Sequence, residues 1–407
     1  LRVHVHASAD GSSWYRLRYP AQALSSENVH VLRPIDQHAR AVRVEDAHPL
    51  GGSVVDIVYP DPPDVVVVSR PYTRTSFEIL RAMQRAGSAV VVDIDDDLHA
   101  LDPRHPMWPT TRPNWLRETE LHLRHAEFSR QDIRDTRVVQ VVDTGGFIAD
   151  HPEGNWYYIP TALSDEGCHW TRKACDAADL VTVTTDALAE RYGRHGRVMV
   201  LPNCVPDAYL NMEGDENDNV TLGWTGTATT HCGDLDVVGD AVARACDATG
   251  ATFRAVGGAH TSRLLGVADD RAEFVDWCTL PDLGVNGYPQ AVANLDVGIA
   301  PLVDSVFNQS KSRLKLIEYA ALGVPFVASP RADYRKLQAL GVGLYADTVD
   351  EWYAQLHRLL SDPVLRMEMA EQGRVAMEGW TYRARAQDWM SAWTLAAALR
   401  HQRKAAA

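Results

Sequence analysis

Short apolar runs bounded by turn residues alternate with amphipathic helical patterns along most of the 407-residue chain. "RVHVHA" reads as a first strand, followed by a small-residue loop, "SADGSSWYRLRYPAQAL", that opens a helix. "DVVVVSRP" and "SAVVVDIDDDL" are nearly continuous Val/Ile runs, the pattern of strands covered on both faces of a parallel sheet. Between them "EILRAMQRAG" is an amphipathic helix with Gly87 where a C-terminal cap belongs. "LVTVTTDALAERYG" and "RVMVLPN" continue the alternation. After the polar stretch "NMEGDENDN" it restarts with "VTLGWTG", the helical "CGDLDVVGDAVARACDATG", "TFRAVGG", "EFVDW", "YPQAVANL" and "DVGIAPL". Strands alternating with helices predict an α/β architecture of two βαβ units. The first is expected over residues 1–210, with an insertion at about 100–160 where prolines, tryptophans and arginines break the pattern before an amphipathic helix. The second is expected over 211–380, and 381–407 reads as one long helix with Trp389 and Trp393 on one face.

Composition narrows the function classes. A chain with 45% hydrophobic and 23% charged residues is a soluble globular type, and no apolar run reaches the length of a membrane span. The net charge of −14 excludes a general electrostatic hold on nucleic acid. The six cysteines form no CxxC pair and no zinc-ligand spacing. Scattered cysteines without a signal-peptide pattern lead to the expectation of a cytoplasmic protein.

The most informative stretch is "FNQSKSRLKLIEYAALGVPFVAS", residues 307–329. With "SKSRLKLIEYAALG" as one helix, Lys311, Lys315, Glu318 and Leu322 share a face, Ser310 caps the start, and Gly323 with Pro325 ends it. A helix start beside two lysines suits phosphate, and a glutamate further along can accept from two adjacent ribose hydroxyls. The same pattern also fits a surface ion pair between Lys315 and Glu318.

In the second half, "VTLGWTGTATTHCGDL", "FVDWCTLPDLGVNGYPQAVANLDVGIAPL" and the 307–329 stretch, and in the first, "DAADLVTVTTDALAERY" with "VMVLPNCV", follow one another in an order that resembles a GT-B glycosyltransferase, most similar to glycosyltransferase family 4. The resemblance implies two Rossmann-like domains facing a cleft, with a C-terminal helix crossing back to the first. It implies transfer of a sugar from a UDP-, GDP- or ADP-sugar, with retention of configuration and no metal. On the donor side it points to Gly226, Thr227, Trp277, Cys278, Ser310, Lys311, Lys315 and Glu318, with Glu318 on the ribose and the lysines on the leaving diphosphate. His231 and Lys311 are placed with the catalytic groups. One departure stands out: of two glutamates separated by seven residues, Glu318 matches the second and Ser310 stands at the first.

On the acceptor side, Gly11, Ser12, Tyr15 and Arg16 follow the first strand. Asp95, Asp96 and Asp97 end a buried strand, where ligand crevices lie, so Asp95 and Asp96 are read as catalytic groups and Asp97 as an acceptor contact. Capping of the following segment is the competing role for Asp95 or Asp96. The glycines of "GWTGTATTHCG" lack G-x-G-x-x-G spacing, which argues against a dehydrogenase. The acceptor stays open between a glycan, a small molecule and a modified base in DNA. The last is raised by "RHPMWPTTRPNW" and "RLRYP", which mix arginine with aromatics. Two other classes fit the same pattern: a non-catalytic nucleotide-sugar-binding or scaffold protein, and a nucleotide-sugar epimerase or hydrolase.

Overall fold

The computed structural model describes residues 1–8, 10–24, 28–35, 42–47, 53–57, 62–102, 104–107, 137–142, 146–150, 156–160, 166–193, 196–257, 261–276 and 287–406, with the backbone alone for the strands within 42–57 and 137–160. The first half contributes β1 (Val3–His6), β2 (Val29–Leu32), β3 (Val42–Ala47), β4 (Ser53–Ile57), β5 (Val65–Ser69), β6 (Ala89–Ile94), β7 (Arg137–Val142), β8 (Gly146–Asp150), β9 (Trp156–Pro160), β10 (Leu180–Val183) and β11 (Val198–Val200). Six of these form a parallel sheet in the order β11-β10-β6-β5-β1-β2. Strand β2 was not anticipated, and β3–β4 and β7–β9 form separate antiparallel sheets. The helix expected in the insertion lies outside the described residues.

The second half contributes β12 (Thr221–Gly226), β13 (Thr252–Gly257), β14 (Ala272–Val275), β15 (Val297–Ala300), β16 (Phe326–Ala328) and β17 (Leu344–Tyr345). They form a second parallel sheet in the order β14-β13-β12-β15-β16-β17. The helix expected from Cys232 is interrupted. A 3-10 turn, Leu235–Val238, stops at Gly239, whose φ of 52° is left-handed, and the α-helix runs only over Ala241–Thr249.

The chain passes between the halves twice, at Val205 and Thr381, and the two passages pair as a parallel bridge. Val205 N donates to Trp380 O at 3.1 Å, and Tyr382 N to Val205 O at 3.0 Å. The helix Tyr382–Ala406 then returns to the first sheet. Trp389, Trp393 and Ala396 are buried there with Val3, Val5, Val65, Val67 and Leu180. Its last turns carry cations that meet helix C-terminal carbonyls: Lys404 Nζ to Gly87 O at 3.1 Å and Arg403 to Ala178 O at 3.2 Å. Cations at that end also complement the helix dipole.

Arg16 departs from expectation, being neither a ligand contact nor a surface charge. It is 1% exposed and donates to both Asp93 oxygens, from Nε at 2.9 Å and Nη2 at 2.7 Å. Nη1 reaches Leu201 O at 2.6 Å and Asn203 Oδ1 at 3.1 Å. Its helical run, Gly11–Ser13, Trp14–Arg18 and Tyr19–Leu24, contains a π-type turn at Trp14–Arg18. The extra residue in a π turn re-aims the side chains around it.

Removing one partner of a buried pair orphans the other charge. Arg16→Met should therefore cost about 3–5 kcal/mol, and adding Asp93→Asn should return part of that loss. Urea-unfolding midpoints of the single and double variants check this; a double variant no more stable than Arg16→Met would refute it.

Candidate active site

The second sheet reverses its strand order between β12 and β15, and in such sheets the ligand crevice opens above the strand ends at that reversal. Strand β12 ends there on Gly226, with φ of 137°. A Cβ at this position would meet His231 Nε2 and the Trp224 ring at 3.2 Å, so the backbone can turn here only as glycine. Thr227 and the turn Ala228–Thr230 follow.

Facing this turn is the helix Leu314–Ala321, which is shorter than its pattern suggests. A separate turn, Val306–Gln309, precedes it. Between them the Ser310 hydroxyl donates to Phe307 O at 3.0 Å and Lys311 N to Asn308 O at 3.1 Å, which closes off the first turn. The Asp333 carboxylate accepts from Arg313 N at 3.2 Å and from its guanidinium at 2.9 Å. An internal carboxylate thus occupies the helix start expected to suit phosphate. Ser310 ends the preceding turn rather than capping the start of this helix, and Lys311 reaches the crevice from a loop rather than from the Glu318 face.

Lys315 and Glu318 do project from the helix into the crevice. Lys315 Nζ donates to Thr225 O at 2.5 Å and lies 4.7 Å from the centroid of the Trp224 ring. Burial lowers its pKa to about 8; Asp234 and Glu318 oppose that and Lys311 adds to it. Glu318 is buried and accepts from Tyr15 Oη on Oε1 and from Tyr288 Oη on Oε2 at 3.3 Å. Burial raises its pKa to about 7, against the Tyr15 hydrogen bond and Lys315. Tyr15 comes from the first half of the chain, and its hydroxyl is also 3.0 Å from that of Tyr209. So the residue expected to take a ribose is held by a tyrosine across the seam.

His231 Nδ1 lies 2.8 Å from Asp234 Oδ2. Burial, with Lys315 adding, depresses its pKa to about 4, so at neutral pH the ring is uncharged. With an ionised carboxylate at Nδ1, that nitrogen carries the proton and Nε2 keeps its lone pair. Asp234 also accepts from Val303 N at 3.0 Å and Asn308 Nδ2 at 2.6 Å. The spacing of His231 and Asp234 was visible in the sequence; the link to Asn308 was not.

The first sheet reverses between β1 and β5. The space above Gly11 is open, since a Cβ there would meet nothing within 4 Å. Ser12 donates to Asp95 Oδ2, and Arg70 Nε lies 3.3 Å from Asp95 Oδ1. Burial acts to raise the Asp95 pKa, but Arg70 and Ser12 outweigh it and hold the group below its ordinary value. Its surroundings therefore do not make Asp95 a stronger base. Asp96 lies 3.6 Å from Lys311 Nζ. Asp97 is buried, caps the turn Leu98–Ala100 through His99 N and pairs with Arg191 Nε at 2.9 Å. The capping role expected for Asp95 or Asp96 falls instead to Asp97, which was expected to contact the acceptor.

Arg18 does not present an open phosphate contact: it stacks over Trp14 at 5.1 Å and donates to Ser8 O, while Tyr19 packs against Tyr15 and Tyr382. Trp277, Cys278 and residues 108–115 lie outside the described residues. Arg70, Tyr209, Tyr288 and Asp234 were not anticipated. Arg70 had a signal, a charged residue just past the valine-rich strand Val65–Ser69 and before a proline, and its φ of 42° is left-handed. Among the described residues no group of His, Cys, Asp and Glu is arranged to hold a metal ion, and no helix is long and apolar enough to cross a membrane.

The pH response of Glu318 has a definite sign. A folded pKa of about 7, above the ordinary 4.5, means that its burial is favoured below pH 4.5 and grows costlier until about pH 7. The thermal midpoint of Glu318→Gln relative to the parent should therefore rise with pH across that window and level off above it. A constant difference from pH 4.5 to 8 would count against a protonated, buried Glu318.

Residues 242–391 match the model of the glycosyl transferase-like family. A search of curated proteins finds no match. Among solved structures, Anabaena HepE in complex with UDP matches with a TM-score of 0.56 and 13% identity, over 97% of this chain and 100% of its own. Sucrose-phosphate synthase from Thermosynechococcus elongatus matches at 0.54 and 15%, over 100% of both chains. AviGT4, a glycosyltransferase involved in avilamycin A biosynthesis, matches at 0.51 and 13%, over 98% of both. Residues 242–391 thus match a glycosyl transferase-like family model, and the two-sheet architecture shared along the whole chain is the GT-B fold.

Proposed function

We propose that this enzyme transfers a sugar from a UDP-sugar to an acceptor hydroxyl, with the donor on the second domain and the acceptor on the first. The observation that carries the reading is the convergence of Lys311, Lys315 and Glu318 on the crevice above Gly226. UDP is chosen as the nucleotide because HepE has been crystallised with UDP and with UDP-glucose.

Each group has a task set by its surroundings. The Glu318 carboxylate accepts from the ribose hydroxyls once Tyr15 releases it. Lys311 and Lys315 stabilise the charge that builds on the diphosphate as its bond to the anomeric carbon breaks. They supply this charge without calling on a metal. The glycine turn at Gly226 and Thr227 lets backbone N–H groups approach phosphate. Asp95, kept ionised by Arg70, accepts a hydrogen bond from the acceptor and orients it. Neutral His231 offers Nε2 to a sugar hydroxyl. The acceptor oxygen bonds to the anomeric carbon on the face the diphosphate leaves, with retention, and its proton passes to a departing phosphate oxygen. A glycan or small-molecule hydroxyl fits this polar wall. The reading of a DNA base loses the "RLRYP" segment, whose arginines and tyrosine are engaged internally.

The test is binding. At a hundredfold excess over Kd, UDP should stabilise the protein by about 2.7 kcal/mol, and Glu318→Ala should abolish the shift. GDP and ADP run alongside name the base. No shift with any of the three would refute the donor reading. Because the Tyr15 hydroxyl competes for Glu318, Tyr15→Phe should tighten UDP binding by about three- to tenfold, the worth of one hydrogen bond to a charged group less the apolar contact retained. Unchanged or weaker binding on titration calorimetry would show that Tyr15 does not compete.

A further inference from the structure

Phe307 belongs to the second domain by sequence, in the segment that follows β15. Its ring is nonetheless buried among residues of the first: Leu98, Leu101 and Cys168, with Met107 packed alongside. It is only 8% exposed. The surrounding segment is tied down on the same side. Thr185 Oγ1 donates to Ser310 O at 3.1 Å, and Asn203 Nδ2 to Ser312 Oγ at 2.9 Å. Lys311 lies on the outer face of that ring, its Nζ 4.8 Å from the centroid and 3.6 Å from Asp96.

We infer that Phe307 is a positioning residue for Lys311. Plugged into the first domain, its ring holds the Lys311 ammonium over the donor crevice, so that this cation reaches a nucleoside diphosphate only while the domains are docked. The inference rests on the donor reading above and deepens it. A lysine is a point charge on a flexible stem, and its position must be imposed from outside. Here an aromatic face imposes it, by the attraction of a ring quadrupole for a cation. The ring's own place depends on Leu98, Leu101 and Cys168, which travel with the first domain. Lys315 is different: it is held by Thr225 and Trp224, both of its own domain, and stays in the crevice whatever the first domain does. The two cations are therefore not equivalent, one resident and one delivered. The same anchoring accounts for Ser310. At 5% exposure, against Thr185 and the Phe307 carbonyl, a carboxylate at this position would be a charge buried in the seam.

The test is a double-mutant cycle on UDP affinity, measured by titration calorimetry on the whole chain. Lys311→Met should weaken binding about tenfold in the parent but less than about twofold in a Phe307→Ala background, because an unplaced lysine has little left to lose. Phe307→Leu keeps the apolar plug and removes the ring face, so Lys311→Met should lose most of its effect there too. If Phe307→Ala does not fold, as read from its melting curve, Phe307→Leu takes its place in the cycle with the same criterion. Additive effects, in which Lys311→Met costs the same in every background, would overturn the positioning role and leave the donor reading standing. So would a Lys311→Met variant that binds UDP like the parent. A parent that binds none of UDP, GDP and ADP would overturn the donor reading itself, and this inference with it.

Discussion

The buried pair of Arg16 and Asp93 is the contact from which the active-site geometry follows. Asp93 sits in β6, and Arg16 fastens to it a helical run that also carries Ser12 and Tyr15. Ser12 reaches Asp95, the residue just past the end of that strand, and Tyr15 reaches Glu318 on the opposite domain. Tyr382 Oη donates to Tyr15 O at 2.5 Å, so the returning C-terminal helix bears on the same residue. Desolvating an arginine and an aspartate is expensive, and it is offset here because the Thr182 hydroxyl donates to Asp93 while Leu201 O and Asn203 Oδ1 accept from Arg16. The fully satisfied network specifies one orientation for the helix, and with it the position of the domain seam.

The crevice is built from groups whose charge states depend on their burial. Glu318 with a pKa of about 7 and Lys315 with one of about 8 stand far from their ordinary values because water is kept from them. Strongly perturbed groups gathered in a cleft are a mark of function. Asp95 goes the other way, held ionised by Arg70 at the switch point of the first sheet. The two domains thus bring opposite electrostatics to one cleft. The second contributes cations and a carboxylate shielded by tyrosines; the first contributes an aspartate that stays charged.

Much of this was legible in the chain. The Val/Ile runs of β5 and β6 suit strands covered on both faces, and their alternation with helical patterns is what makes a parallel sheet legible. Gly226 announces a turn because it ends an apolar run before a polar stretch, and the apolar face of Tyr382–Ala406 announces a helix that must be buried. Lys315 and Glu318 were found from helical spacing, since both lie within one regular element. Lys311 was assigned to the same face for the wrong reason: the helix does not extend to it, and a loop brings it in.

What the sequence by itself determined is the set of elements, because hydrophobic period and backbone chemistry act over a few neighbouring residues. Tertiary structure alone decided the partners: that Arg16 turns inward to Asp93, that Asp97 caps while Asp95 meets Ser12 and Arg70, that Tyr15 meets Glu318, and that Phe307 crosses the seam. Each of these choices joins residues far apart in the chain, Tyr15 and Glu318 being 303 positions apart. A side chain's charge or ring fixes what it can bind. Which of its possible partners it meets is set by the packing of the two domains, and that packing is a property of the whole fold.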